Sequence, residues 1–189
     1  MRDHSSIAKA AAPLIDTVRG IRTDQLDAPT PCSEFDVRGL LNHILYWGPS
    51  LTGAARKESV PPPAEADVFD EHWARRLEAQ IDRLVDAWSD PAAWQGTTLL
   101  GGTYEMPADL VGGMVLGELV VHGWDLARAT GQEPKWDEDV IEFVHDEVAK
   151  SAEQGREMGV YGAAVPVPAT ASTLERALGL TGRDPGWTP

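Results

Sequence analysis

Gly117-Glu118-Leu119-Val120-Val121-His122-Gly123-Trp124-Asp125 is the stretch on which the reading of this chain turns. On a helix, Glu118 and His122 stand one turn apart on one face, about 6 Å along the axis. Asp125 follows His122 at i+3 and shares that face. Leu116, Leu119, Val120 and Val121 are apolar, so much of this helix is expected to be buried. A carboxylate and an imidazole facing a core need partners, because an unpaired buried charge costs roughly several kcal/mol. The segment therefore predicts a core helix with either an internal Glu–His ion pair or two ligands of one metal ion.

Upstream, His43 sits in Leu40-Leu41-Asn42-His43-Ile44-Leu45, again among apolar residues, and Leu40, His43, Ile44 and Trp47 share one helical face. If this helix lies beside the one bearing Glu118 and His122, two imidazoles and one carboxylate meet. Three N and O ligands with an open fourth position are the pattern of a reactive zinc site, and a structural site would want more thiolates than the single Cys32 supplies. Spacing alone leaves the other reading open, in which His43 is a satisfied core histidine.

Working outward, apolar residues Ile7, Ala11, Leu14, Ile15, Val18 and Ile21 predict a first helix from Ser5 to Arg22, broken by Pro29 and Pro31. A second helix, capped by Ser33 or Asp36, is expected from Val37 to Arg56, with Pro49 kinking it. Pro61-Pro62-Pro63 make residues 59–67 an extended crossover. A third helix is expected from Phe69 to Trp88 and a short hairpin about Gly101-Gly102. The fourth runs from Pro107 to Thr130, ended by Gly131, and a fifth from Asp137 to Met158. Residues 159–189, rich in Pro, Gly and Ala, read as an irregular tail. The expectation is an all-α single domain over residues 1–189: a four-helix bundle with a long crossover, a short hairpin and an additional C-terminal helix and tail.

The formal net charge of −14 disfavours nucleic acid and anionic membranes as partners. No run of about 18 apolar residues predicts a membrane span, and the N-terminus lacks a signal-peptide pattern. One cysteine fits a reducing compartment, so a cytoplasmic location is expected. The plentiful Ala, Gly, Asp and Val, with Arg in excess of Lys, suggest a GC-rich genome.

Thr30-Pro31-Cys32-Ser33-Glu34-Phe35-Asp36-Val37-Arg38-Gly39-Leu40-Leu41-Asn42-His43 resembles the first segment of the mycothiol-dependent maleylpyruvate isomerase metal-binding family, a branch of the DinB-like superfamily. Glu118 to Ala127 resembles its second segment, and Gly182-Arg183-Asp184-Pro185-Gly186-Trp187 is similar to tails of a small actinobacterial subgroup. The resemblance implies a DinB-like bundle, with His43, Glu118 and His122 holding a divalent metal: zinc first, then nickel or iron. It also implies a low-molecular-weight thiol partner, mycothiol here as bacillithiol or glutathione elsewhere in the superfamily. Phe35 stands where Trp is more usual. The isomerases carry an additional C-terminal domain for which 189 residues leave no room, so the isomerisation itself lies outside what the resemblance implies.

Around this set, Asp125 is a candidate acceptor for an imidazole N–H or a base, against a plain surface carboxylate. Trp47 and Trp124 are candidate pocket walls. Arg128 suits an anionic substrate or, more readily, a salt bridge. Cys32 reads as a packing residue in its turn, with an activated thiol ahead of a helix as the alternative. His72 and His145 read as surface histidines, and His4 as part of a frayed terminus. Two functions follow: a metal- and thiol-dependent transferase or isomerase acting on a small molecule, or a non-catalytic metal-binding or ligand-sensing module. A homodimer is left open.

Overall fold

The computed structural model describes residues 6–189; the expectations for His4 and for a helix start at Ser5 lie outside them. Helix α1 (Ser6–Gly20) buries Ile7, Ala10, Ala11, Leu14 and Val18, the i, i+3, i+4 stripe read from the sequence. Helix α2 (Val37–Ala55) starts at Asp36, whose side chain accepts from the Gly39 N–H at 2.6 Å, so Asp36 rather than Ser33 is the cap.

Pro49 lies inside α2 without ending it. Proline brings no N–H to the helical ladder, and in the adjoining turn the buried Gln80 side chain donates to the Ile44 carbonyl at 2.8 Å. Gly48 leaves the space for that approach, since a side chain there would collide with Gln80. The crossover is pinned by Asn42, whose amide donates to the Ala66 carbonyl and accepts from the Val68 N–H.

Helix α3 (Trp73–Ser89) begins four residues later than expected. The carboxylates of Asp67 and Asp70 take the N–H groups of Phe69 and His72, and these local bonds hold the chain in turns instead of helix. Its apolar face, Leu77, Ile81, Leu84 and Trp88, packs on α1 and α2. Strands β1 (Thr97–Leu100) and β2 (Tyr104–Pro107) form the expected hairpin, antiparallel with Leu100 opposite Tyr104. Gly101 and Gly102 take φ of 61° and 80° in its turn, which L side chains resist.

The predicted fourth helix is three pieces in one continuous run: α4 (Ala108–Gly117), a π-helical turn (Glu118–His122) and α5 (Gly123–Thr130). By length and composition alone this run could cross a membrane, against the expectation of no span, but 72% of its most apolar window is buried against the other helices. It is the core helix of the bundle, in contact with α1 and α2. Helix α6 (Glu138–Glu157) packs outside against α4 and α1.

Residues 159–189 are not the irregular tail expected. They contain α7 (Thr173–Leu180), which lies against α6 and opens with a capping box in which Ser172 and Glu175 satisfy each other's N–H groups. The chain is thus mostly helical with one small hairpin, in line with the fold expectation.

Candidate metal centre

Helix α2 and the π-helical turn bring the sequence's two segments together. His43 Nε2 lies 3.2 Å from Glu118 Oε2, and His122 Nε2 lies 3.6 Å from the same oxygen. The imidazoles stand edge-on with centroids 5.1 Å apart. One ligand atom from each of the three residues falls within 4.8 Å of the others. For metal–ligand bonds of about 2.0–2.2 Å, tetrahedral ligands stand about 3.4 Å apart, so the donor set fits a divalent ion with little movement. The side chains keep 22%, 31% and 11% exposure for His43, Glu118 and His122, which leaves one side of the set open.

The π-helical turn contains the β-branched Val120 and Val121, which lower helix propensity slightly, and is flanked by Gly117 and Gly123. Such turns cost regular hydrogen bonding and are frequent at functional sites.

Behind His122 the arrangement continues. His122 Nδ1 stands 3.0 Å from Asp125 Oδ2, and Asp125 is wholly buried. A carboxylate only accepts, so Nδ1 carries the proton and Nε2 is turned toward Glu118. Asp125 is therefore not a surface carboxylate. Both its oxygens face Arg183, at 3.0 Å from Nη2 and 3.4 Å from Nε.

The electrostatics follow from this crowding. Burial works against ionising Glu118, but the charges on His122 and His43 outweigh it and hold its carboxyl down at about 2. Burial likewise opposes charge on His122, yet Glu118 and Asp125 prevail and raise it above the ordinary imidazole value.

The remaining expectations divide. Trp47 lines a small cavity of about 20 Å³ together with Leu14, Ile44, Ile81 and Glu118, enough for about one water. Trp124 is buried with the Arg128 guanidinium 5.9 Å from its ring. Arg128 makes no salt bridge among the described residues: its Nη2 donates to the Trp187 carbonyl at 2.6 Å. For Cys32, burial works against an activated thiol. Its sulfur lies near His122 and Asp125, and burial pushes its pKa up. His72 is exposed beside Glu71, while His145 is half-buried beside Asp146.

Sequence reasoning missed three neighbours. Phe35 packs its ring at 5.2 Å from that of His43. Tyr161, half-buried, has its phenol pushed up by burial, with Glu118's charge adding to it. From the sequence, Arg183 reads only as part of a tail. Its one legible signal was a lone Arg in an otherwise turn-like Gly182-Arg183-Asp184-Pro185 run.

Fold and site together define a class: helical bundles whose core helix and a neighbour present two imidazoles and a carboxylate at one point. Within it, the chain belongs to the mycothiol maleylpyruvate isomerase N-terminal domain family, whose model matches residues 7–127. Two uncharacterized proteins of Mycobacterium tuberculosis, from two strains, are each 31% identical over 121 residues, 64% of this chain. The chain spans 63% of the length of these curated relatives. Crystal structures of the mycothiol-dependent maleylpyruvate isomerase and of a histidine-to-alanine mutant share the fold. Each has a TM-score of 0.59, at 14–15% identity, over 87% of this chain and 75% of theirs.

Proposed function

We propose that this protein binds one divalent metal ion, zinc before nickel or iron, through His43, Glu118 and His122, and works in the cytoplasm as a mycothiol-type thiol-dependent transferase or isomerase of a small molecule. The observation that carries the reading is the convergence of three ligand atoms within 4.8 Å, one side open to solvent. Family membership supports the thiol, and the reducing compartment suits it.

The chain's own residues supply the following. Glu118 brings the negative charge, kept ionised throughout the neutral range. His43 and His122 present Nε2 to the same point. Asp125 holds a proton on His122 Nδ1 and so frees Nε2 as a ligand. Phe35 on His43 and the apolar walls around Trp47 limit water on the closed side, which strengthens each charge interaction there. A metal held in this set would bind the thiol's sulfur and favour its thiolate at neutral pH.

Elemental analysis of the purified protein beside His43→Ala, Glu118→Ala and His122→Ala is the direct test. One ion per chain in wild type and loss in all three variants is expected; full retention in all three sinks the site. Calorimetry with mycothiol then separates the two functions. Heat of binding that disappears in His122→Ala supports the thiol-dependent enzyme. Metal without thiol binding leaves a metal-binding or ligand-sensing module.

A further inference from the structure

Arg183 lies beyond the residues that the family model matches, in the turn that follows α7, yet its guanidinium is buried in the heart of the bundle. We propose that Arg183 is a positioning residue of the metal centre: by holding both oxygens of Asp125, it fixes the carboxylate that keeps the His122 proton on Nδ1 and so aims Nε2 at Glu118 and His43. The inference rests on the metal-binding reading above.

Four observations carry it. Asp125 is wholly buried, and its bonds are to His122 on one side and Arg183 on the other. The two Arg183 nitrogens meet different oxygens of the carboxylate, a fork that restrains its plane as a lysine cannot. Arg183 is itself fixed. Its Nη1 donates to the Thr181 carbonyl at 3.0 Å and its backbone N–H to Leu178 at 3.0 Å. Gly182, at φ 87°, runs so close to the Gly162 backbone that a side chain would not fit. The segment is thus a rigid arm that delivers one guanidinium.

A tail anchor alone is a poor account of this pair. Burying two charges costs as much as their attraction returns, and apolar residues would hold a tail equally well. Orientation of a ligand is what a forked, buried pair supplies beyond that. Groups that orient a ligating histidine typically change metal affinity by about 10–100-fold.

The experiment compares zinc affinity, by chelator competition, in wild type, Arg183→Met, Arg183→Lys, Asp125→Asn and the Arg183→Met/Asp125→Asn double variant. Ring-nitrogen NMR of His122 in the metal-free protein at alkaline pH accompanies it. Methionine keeps an apolar stem of similar length. Arg183→Met and Asp125→Asn should each weaken zinc by about 10–100-fold. The double variant should be no weaker than Asp125→Asn alone, and Arg183→Lys should recover part of the loss. Wild type should carry the proton on Nδ1, with the Nε2–H form appearing in Arg183→Met.

Wild-type affinity and tautomer in Arg183→Met, or losses that multiply in the double variant, would overturn the proposal and leave a tail anchor. An Nε2–H tautomer in wild type overturns it without any variant. If Arg183→Met does not fold, Arg183→Lys crossed with Asp125→Asn closes the same cycle. A wild type that takes up no zinc at all defeats the metal-binding reading itself, which is a different failure.

Discussion

Glu118 and His122 tie stability to pH in opposite directions, and the signs follow from their shifts. Glu118 is lowered from 4.5 to about 2, so its contribution is whole above pH 4.5 and drains away as pH falls toward 2. His122 is raised above 6.5, so its contribution is whole below 6.5 and is lost as pH rises through the raised value. The metal-free protein should therefore be most stable between these limits. Glu118→Gln should flatten the acid limb by roughly 1–3 kcal/mol, read from urea unfolding at pH 3 and pH 6. An unchanged acid limb would mean that Glu118 is not ion-paired. A raised His122 also makes protons compete earlier for its nitrogen, so zinc affinity should begin to fall above pH 6.5 as the solution is acidified. A profile flat from pH 8 to 5 would place the ion on carboxylates elsewhere. At this scale the shared face of Glu118, His122 and Asp125 was legible, because helical spacing of i+3 and i+4 is local information, whereas His43 meets Glu118 across 75 residues and was joined to them by the family resemblance. Arg183 was not legible, because it meets Asp125 across 58 residues and no periodic pattern announces it.

The elements show the same divide between local and distant causes. Helices α1, α2 and α6 and the hairpin follow from apolar spacing, prolines and the paired glycines, and they fall within a few residues of expectation. The late start of α3 was legible only by weighing Asp67 and Asp70 as turn formers against an apolar run. The π-helical turn was hidden, since residues 119–127 are all buried and no one-sided stripe marks where the turn widens. Helix α7 is the instructive miss. Ser172-Thr173-Leu174-Glu175 is a capping box, but the Pro, Gly and Ala around it masked the signal. Ser172 Oγ accepts from the Glu175 N–H at 3.3 Å, and Glu175 accepts from the Ser172 N–H at 2.6 Å. Ser172→Ala should lower stability by about 0.5–2 kcal/mol, seen as a lower denaturant midpoint at an unchanged slope. No change in midpoint would show that packing on α6, not the cap, holds α7 in place.

For the molecule as a whole, charge decides what it meets. Thirty acidic residues against 16 basic ones give the formal −14. Arg19, Arg38, Arg76 and Lys9 pair with surface carboxylates, while Arg128 and Arg183 are turned inward to the tail and to Asp125. A net charge of this sign opposes a phosphate backbone. One divalent ion in the site changes this total by only two charges. The protein should therefore show no binding to duplex or single-stranded DNA at 150 mM salt, with or without zinc, in gel shift or fluorescence anisotropy. Lowering the salt lengthens the reach of the repulsion, to about 30 Å at 0.01 M, so dilution should not rescue binding as it does for a basic protein. Micromolar binding that strengthens as salt falls would overturn this, and would point to a local basic surface that outweighs the total charge.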